Sequence, residues 1–556
     1  MLLSNLNLLA QAPGGVARLR ELILTLAVQG KLVAQDPKDE PASALLKKIR
    51  AEKDRLITEG KIKRDKPLAE IAEEEKPFGL PNGWSWVKGR DLFSVIRGVT
   101  YQKTDARDTP TETHLPILRA NNIRGTVNLD DLVYVPAALI SEDQLLRAGD
   151  YVVCLASGSK NLVGKAAPFT ESLGCSFGAF CGAIRPIQEI AYFAVYLASP
   201  TYRDSVSEAS AGIGINNLKG SSLLDLDIAL PPASEQSRIV TRVEELMRLC
   251  DALEAKGQLE ATQHAQLVST LLATLTGSET PAQLTDNWHR IATHFDLLLD
   301  RPEAVDALEQ TILQLAVRGL LVPQDPQDEP ASDLLKKIRT EKDELIAEGK
   351  IKRDKPLPPI AEDEQPFALP VGWEWARFGQ IANIASNLVP PALHAKKWQV
   401  APDCIEKATG RLLERRTVAQ AKIISPNHLF KPGQILYSKI RPSLSKAVLV
   451  DFEGLCSADM YPIESPLDSE YLLMYILSQP FLEQVSIAEN RVKMPKLNQE
   501  ALVAFTVAVP PLAEQSRIIT RVAQLRRLCA DLRQRLAASQ STQAHLAEAL
   551  VEEVAT

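Results

Sequence analysis

The sequence predicts an α+β protein with pseudo-two-fold organisation: two mixed α/β domains, two small helical modules and two long helices. Three observations point there. The stretch Ile23–Trp86 returns as Ile312–Trp375 at an offset of 289, with no gap and 48 identities in 64 positions. A second pair, 230–253 with 509–532, matches at an offset of 279 with 15 identities in 24. Between the matched blocks lie two inserts, about 87–229 and 376–508, with little obvious similarity. The second insert is shorter by the difference of the two offsets. A length of 556 residues allows several units that each bury a core. Two long copies make a duplication, not a solenoid of many short repeats.

Each shared block reads as helical. LRELILTLAVQGKL is an amphipathic helix ending at Gly30. After Glu40-Pro41, ASALLKKIRAEKDRLITEG places Leu45, Ile49 and Leu56 at helical spacing, with Gly60 as a C-cap. The loop IKRDKPL that follows is basic and the next stretch, EIAEEEKPF, is acidic. The inserts are different in kind. TVNLDDLVYVP, GDYVVCLAS, CGAIRPI, GQILYSKI and KAVLVDF are short β-rich runs bounded by turn residues. EIAYFAVYLASPTYRDSV and SEYLLMYILSQPFLEQVSI are helical pieces among them.

Pro231-Pro232 and Pro510-Pro511 stop any strand, and a long helix follows each pair. Apolar residues recur in a heptad-like seam: Ile239, Val243, Leu246, Cys250, Leu253, then Leu267 and Leu271. The second copy runs Ile518, Val522, Leu525, Cys529, Leu532, Leu536, then Leu546, Leu550 and Val554. Both seams turn polar midway, at Glu260 and His264 and at Ser539 and Gln543. Such a break sets register, meets a partner or is a solvated patch. The expected boundaries are modules at 1–80 and 277–369, insert domains at 81–232 and 370–511, and long helices at 233–276 and 512–556.

Composition excludes several classes. No apolar run approaches the ~18 residues of a membrane span, and MLLSNLNLLAQA lacks the basic start of a secretory leader. Seven Cys without a C-x-x-C pair read as free thiols, with no zinc site and no disulfide framework. The net charge of −7 argues against a polycation, so any nucleic-acid face must be local.

The order LP-x-GW, insert, PP-x2-EQ-x-R-I, long helix occurs twice. Its markers are Leu80-Pro81, Gly83-Trp84, Leu369-Pro370 and Gly372-Trp373, then Pro231-Pro232, Glu235-Gln236, Ile239 and Pro510-Pro511, Glu514-Gln515, Ile518. This ordered double set resembles the DNA-specificity subunit of type I restriction-modification enzymes, in the branch with long repeated segments before each target domain. The resemblance covers essentially the whole chain. It implies that the inserts are target-recognition domains, each reading half of a split target in double-stranded DNA. It implies that the long helices pack as an antiparallel coiled coil and set the distance between readers. It also implies two adenine-N6 methyltransferase subunits docked on the duplicated regions, ATP-dependent translocase–nuclease subunits, and a bacterial or archaeal cytoplasm. The chain itself is expected to hold no cofactor, with S-adenosylmethionine, ATP and Mg on the partner subunits.

The residues agree with a non-catalytic role. There is no Asn-Pro-Pro-aromatic or Asp-Pro-Pro-Tyr run, no F-x-G-x-G and no G-x4-G-K-[ST] phosphate loop. Glu59-Gly60-Lys61 and Glu348-Gly349-Lys350 fit half of a nuclease signature but read as helix ends, and His289 and His294 lack the H-E-x-x-H carboxylate. A stand-alone nuclease or methyltransferase and a coiled-coil scaffold without a DNA role remain alternatives.

Residues 88–229 carry 13 Lys and Arg against 15 Asp and Glu, and residues 377–508 carry 15 against 12, so phosphate contact must come from clustering. In the first insert the candidates are Arg119, Asn121, Asn122 and Arg124; Ser157, Lys160, Asn161 and Lys165; and Asn217 with Lys219. In the second they are Lys396 and Lys397; Arg415 and Arg416; Lys439, Arg441, Ser443 and Lys446; and Arg491, Lys493 and Lys496. Arg can pair with guanine O6/N7, and Asn with adenine N6/N7. Each residue has a plain alternative as solvated surface, and Trp398 reads as core.

Overall fold

The computed structural model describes residues 9–10, 12–62, 76–170, 174–209, 216–278, 280–349, 356–488 and 495–555. Arg491, Lys493 and Lys350 lie outside these, as do residues 63–75, which hold most of the first basic loop and acidic stretch, and the side chain of Val554. Contacts group the chain into two units, residues 1–259 with 540–556 and residues 260–539. Among the described residues no helix is long and apolar enough to cross a membrane.

In the first unit the module forms helices Gly15–Val28 and Ala42–Thr58. Leu19, Leu22, Ile23 and Leu26 make the buried face of the first helix. Gly30 and Gly60 follow the helices at φ +69° and +73°, the left-handed turn that ends each one. The strands are β1 (Ser85–Lys88), β2 (Phe93–Arg97), β3 (His114–Leu118), β4 (Val133–Pro136), β5 (Tyr151–Cys154), β6 (Ala156–Ser157), β7 (Ala166–Pro168), β8 (Ser176–Phe177), β9 (Cys181–Pro186), β10 (Asn216–Asn217) and β11 (Asp227–Leu230). They form sheets in the orders β2-β9-β5-β7 and β4-β3-β8, with pairs β1-β11 and β6-β10.

The second unit repeats this plan with helices Pro302–Val317 and Ala331–Ala347, which follow the helix Pro281–Thr293. Its strands are β12 (Glu374–Arg377), β13 (Asn383–Ile384), β14 (Leu388–Val389), β15 (Trp398–Val400), β16 (Arg416–Thr417), β17 (Asn427–Phe430), β18 (Ile435–Ser438), β19 (Ala447–Leu449), β20 (Gly454–Cys456), β21 (Met460–Glu464) and β22 (Thr506–Val509). The four-stranded sheet is β13-β21-β18-β19, strand for strand the order of the first unit. In the sheet β14-β17-β20-β15-β16, the part β20-β15-β16 corresponds to β8-β3-β4, and in both the β15–β20 or β3–β8 pair is parallel. The inserts with little sequence similarity therefore share a topology, because backbone pairing and burial need apolar positions rather than particular residues.

Three expectations need correction. Only Val133–Pro136 of the run 126–136 is strand. Asn128 Oδ1 accepts the Asp130 amide in a side-chain turn, and Asp131 stands at φ 55°, so the chain is bent until Leu132. Each helical piece is two helices, Phe193–Ala198 with Pro200–Ala209 and Ser469–Ile476 with Gln479–Ala488. Ser199 and Ser478 return their hydroxyls to the carbonyls of Tyr196 and Tyr475, and the adjacent prolines cannot extend the preceding helix.

The third correction concerns the long helices, Ala233–Thr276 and Leu512–Ala555, each 44 residues or about 66 Å. The seam begins as expected, with Ile239, Val243 and Cys250 buried, then Ile518, Val522 and Cys529. Beyond the polar break it changes phase. Leu267 is 52% exposed and Leu546 48%, whereas Val268, Leu272 and Leu275, and Ala547, are buried. Val268 and Ala547 each lie 18 residues past the buried cysteine, which is five turns at 3.6 residues. A strict heptad needs a continuous apolar seam to hold 3.5 residues per turn, and here the seam is interrupted, so the helix keeps its own period. The unit boundaries, 259/260 and 539/540, fall in the same polar break. Within the second unit His264 is covered there, its Nε2 3.1 Å from the Leu297 carbonyl and 3.3 Å from Asp300.

Candidate nucleic-acid interface

The duplicated motifs meet in a clasp at the base of each insert. Trp84 donates its indole N–H to Glu235 (3.0 Å), and Gln35 donates to the other oxygen of Glu235 (2.8 Å) and to the Gly30 carbonyl (3.0 Å). In the second copy Trp373 donates to Glu514 (3.0 Å), with Gln324 bridging Glu514 and Gly319. Burial pushes both carboxyls above the usual range, although the indole and amide donors oppose it. Arg238–Asp39 (2.5 Å) and Arg517–Asp328 (2.6 Å) flank the clasps. LP-x-GW and PP-x2-EQ are thus fixings that seat module, insert and long helix together.

Gly30 and Gly319 fit the clasps for two reasons. Both have φ near +70°, and a Cβ on either would lie 2.5 Å from the ring of Pro81 or Pro370. Gly30→Ala or Gly319→Ala should each cost about 3 kcal/mol, from the left-handed backbone and from overpacking. Chemical denaturation checks this, and an unchanged midpoint would contradict it.

On these bases the loops carry the candidates at equivalent positions. The β3–β4 connection holds Arg119, Asn121, Asn122 and Arg124, and the β15–β16 connection runs into Arg415 and Arg416. The β5–β7 segment holds Ser157, Lys160, Asn161 and Lys165, and β6 pairs with β10, which brings Asn217 and Lys219 alongside. Its counterpart, the β18–β19 connection, holds Lys439, Arg441, Ser443 and Lys446. There an Ile440–Lys496 bridge brings in Lys496. Clusters separate in sequence therefore meet, two in each insert.

The side chains differ in availability. Arg124, Lys160, Asn161, Asn217, Lys219, Lys396, Arg441 and Ser443 are exposed. Arg441 is held at φ 44° beside a short turn, its amide bonded to the Pro495 carbonyl, a strained placement of a kind that clusters at binding sites. Ser157 Oγ accepts the Ser159 amide, and Lys165 is half-buried. Asn121 lies 3.4 Å from Asp131, Lys397 pairs with Glu453 (3.0 Å) and Lys496 with Asp459 (3.1 Å). Arg415 pairs with Asp451 and lies over the Phe452 ring at 4.5 Å.

Other candidates turn inward. Asn122 is buried, and its side chain ties the Arg119 amide to the carbonyls of Asn128 and Asp130. Arg119 holds Asp131, and Arg416 holds Asp403. Lys439 donates to the Ala458 carbonyl and Lys446 to that of Pro402, both at 2.6 Å. These residues shape loops rather than offer donors. Trp398, expected in the core, is 37% exposed on β15, while its neighbours Gln399 and Val400 are buried. Asp403, Cys404 and Glu414 bring potential metal-ligand atoms within 4.8 Å of one another, but the Arg416 guanidinium already pairs with both carboxylates, at 2.5 and 3.5 Å. Sequence reasoning missed Phe180, which is 65% exposed on the turn beside β6.

The type I restriction modification DNA specificity domain matches residues 81–263 and again residues 370–539. The chain belongs to this family. Each specificity-domain match opens at a clasp proline, Pro81 or Pro370, and runs on into a long helix. The chain is 36% identical to the type I restriction enzyme EcoEI specificity subunit of Escherichia coli and 34% identical to the EcoAI specificity subunit of the same species. Both alignments cover 97% of this chain and 93% of the relative. A chain from a solved structure of type I R-M complex assembly aligns over 86% of this chain and 99% of its own. Identity there is 16% and the TM-score 0.48, a likeness too loose to add weight.

Proposed function

We propose that this type I DNA specificity chain reads a split target, each insert contacting one half and leaving the bases between untouched. The observation that carries the reading is the combination of one shared topology with unlike loops: the β5–β7 connection presents Lys160, with Asn217 and Lys219 alongside, and the equivalent β18–β19 connection presents Arg441 and Ser443. One scaffold with different side chains at its edge suits two readers of different sequence. Half-sites read from one face of B-DNA lie about one helical turn apart, ~34 Å.

The long helices serve as an antiparallel spacer. In support, Val268, Leu272 and Leu275 at the end of the first helix belong to the core of the second unit. Ala547 at the end of the second helix belongs to the core of the first. The near-identical modules and clasps suit one partner bound twice, an adenine-N6 methyltransferase subunit, with ATP-dependent translocase–nuclease subunits completing the restriction form. Catalysis and its cofactors then reside on those partners, and flipping of the target adenines belongs to the methyltransferase.

The test is an exchange of residues 87–229 for the corresponding insert of another specificity subunit. Methylation mapping should show one half of the target replaced and the other retained. Loss or change of both halves would contradict modular reading.

A further inference from the structure

We infer that Phe180 is a specificity-determining residue, its ring contacting a thymine methyl group in the major groove of the half-site read by the first insert. The inference rests on the reading above that these loops face DNA.

Phe180 sits on the turn joining β8 to β9, closed by the Cys181 amide on the Gly178 carbonyl (2.8 Å). Its neighbour Phe177 is fully buried, whereas Phe180 is 65% exposed. The turn is rigid. The Phe180 carbonyl accepts from the amides of Leu155 (2.8 Å) and Ala156 (3.0 Å). On its other side Gly98 packs so closely that a Cβ there would lie 2.1 Å from the Gly178 carbonyl oxygen. A large apolar ring is thus held in water on an anchored base. Covering such a ring on binding is favourable.

Its surroundings are polar. Ala156 and Ser157 pair with Asn217 and Asn216, so the turn adjoins the strand pair that carries Ser157 and Asn217, with Lys160 in the connection that follows β6. The second insert supplies an internal comparison. There the Met460 amide closes the same turn on the Ser457 carbonyl (2.9 Å), and the Lys439 amide donates to the Asp459 carbonyl (3.0 Å), as Leu155 does to Phe180. Asp459 therefore occupies the position of Phe180, and it pairs with Lys496. One scaffold position carries an apolar ring in one reader and a charged pair in the other, which is how unlike bases would be distinguished.

The apolar feature that B-DNA offers at its base edges is the thymine C5-methyl, in the major groove. That groove, about 12 Å wide, admits a two-stranded ribbon, whereas the minor groove, about 6 Å wide, is too narrow for paired strands and an adjoining turn.

The test uses the full-length chain and duplexes carrying its mapped target, with thymines of the first half-site replaced singly by uracil, which lacks the methyl. Wild type should lose about tenfold in affinity at one position, in line with a base contact of ~1–3 kcal/mol. Phe180→Ala should lose a similar factor on thymine DNA, become indifferent to uracil there, and retain the wild-type Tm and the second half-site. Indifference of wild type to every uracil, retained uracil sensitivity in Phe180→Ala, or a loss without uracil dependence, as from a minor-groove wedge, would each overturn the inference. Lys160→Ala and Asn217→Ala run alongside separate the two levels. If they weaken the first half-site and Phe180→Ala does not, only this inference falls. If none of the three does, the reading of these loops falls as well.

Discussion

Exchanging the charges of the two module helices, Arg20→Glu together with Glu309→Arg, should convert the refolded chain into interlocked oligomers. Duplication creates the hazard: two nearly identical modules could each seat on either long helix through the same clasp. The structure answers with a charge reversal at equivalent positions. In the first unit Arg20 on the module meets Asp251 (2.7 Å) and Glu254 (2.9 Å) on the long helix. In the second, Glu309 stands where Arg20 does and meets Arg526 (3.0 Å) and Arg533, while Asp306 meets Arg533 at 2.7 Å. A crosswise seating would place Arg20 against two arginines and Glu309 against two acids. Like-charge juxtaposition of this sort selects against the wrong partner.

The two sites differ in weight. Arg20 is half-buried but its partners Asp251 and Glu254 are exposed, so Arg20→Ala should cost less than about 1 kcal/mol. Glu309 is buried, and burial lowers the Arg526 guanidinium from its ordinary value. Removing Glu309 leaves that cation unpaired, a loss of about 3–5 kcal/mol. The neutral double variant Arg20→Ala, Glu309→Ala should therefore melt earlier yet keep the wild-type elution profile. The charge-exchanged variant alone should gain oligomers in size-exclusion chromatography with light scattering. Identical profiles for both would remove the charge reversal as a selector.

The second large effect falls on DNA. Lys160→Ala, Asn217→Ala and Lys219→Ala combined should weaken target binding by about 30- to 1000-fold, the range spanned by losing one base contact and two phosphate contacts. Loss of two cations should also flatten the slope of log affinity against log salt by about 2. Discrimination should relax only in the half-site read by the first insert. Titration across a salt series, on targets mutated in either half, measures both. An unchanged salt slope, or relaxation in both halves, would contradict the assignment of these loops.

Much of the frame is legible in the residues, because duplication repeats what the fold requires. Gly30, Trp84, Pro232 and Glu235 recur as Gly319, Trp373, Pro511 and Glu514, and each contributes to one clasp. The shared topology of the inserts is not legible. It resides in main-chain pairing such as Cys154 with Cys181 and Ser438 with Met460, which different residues satisfy equally. The phase of the long helices escaped because a heptad was extended through a stretch with no apolar contact to maintain it. Among site residues, composition identified polar clusters but could not tell Asn122, turned inward to hold its loop, from Asn217, turned out. Phe180 escaped for the opposite reason, since an apolar ring on a surface turn reads by type as core.

Whether one polypeptide carries two different readers is answered most directly by single-molecule sequencing of N6-methyladenine in cells with and without this chain. The expected product is an interrupted target whose two halves differ in sequence and carry one modified adenine each, on opposite strands. A continuous palindrome dependent on the chain, or a methylation pattern indifferent to its presence, would contradict the account.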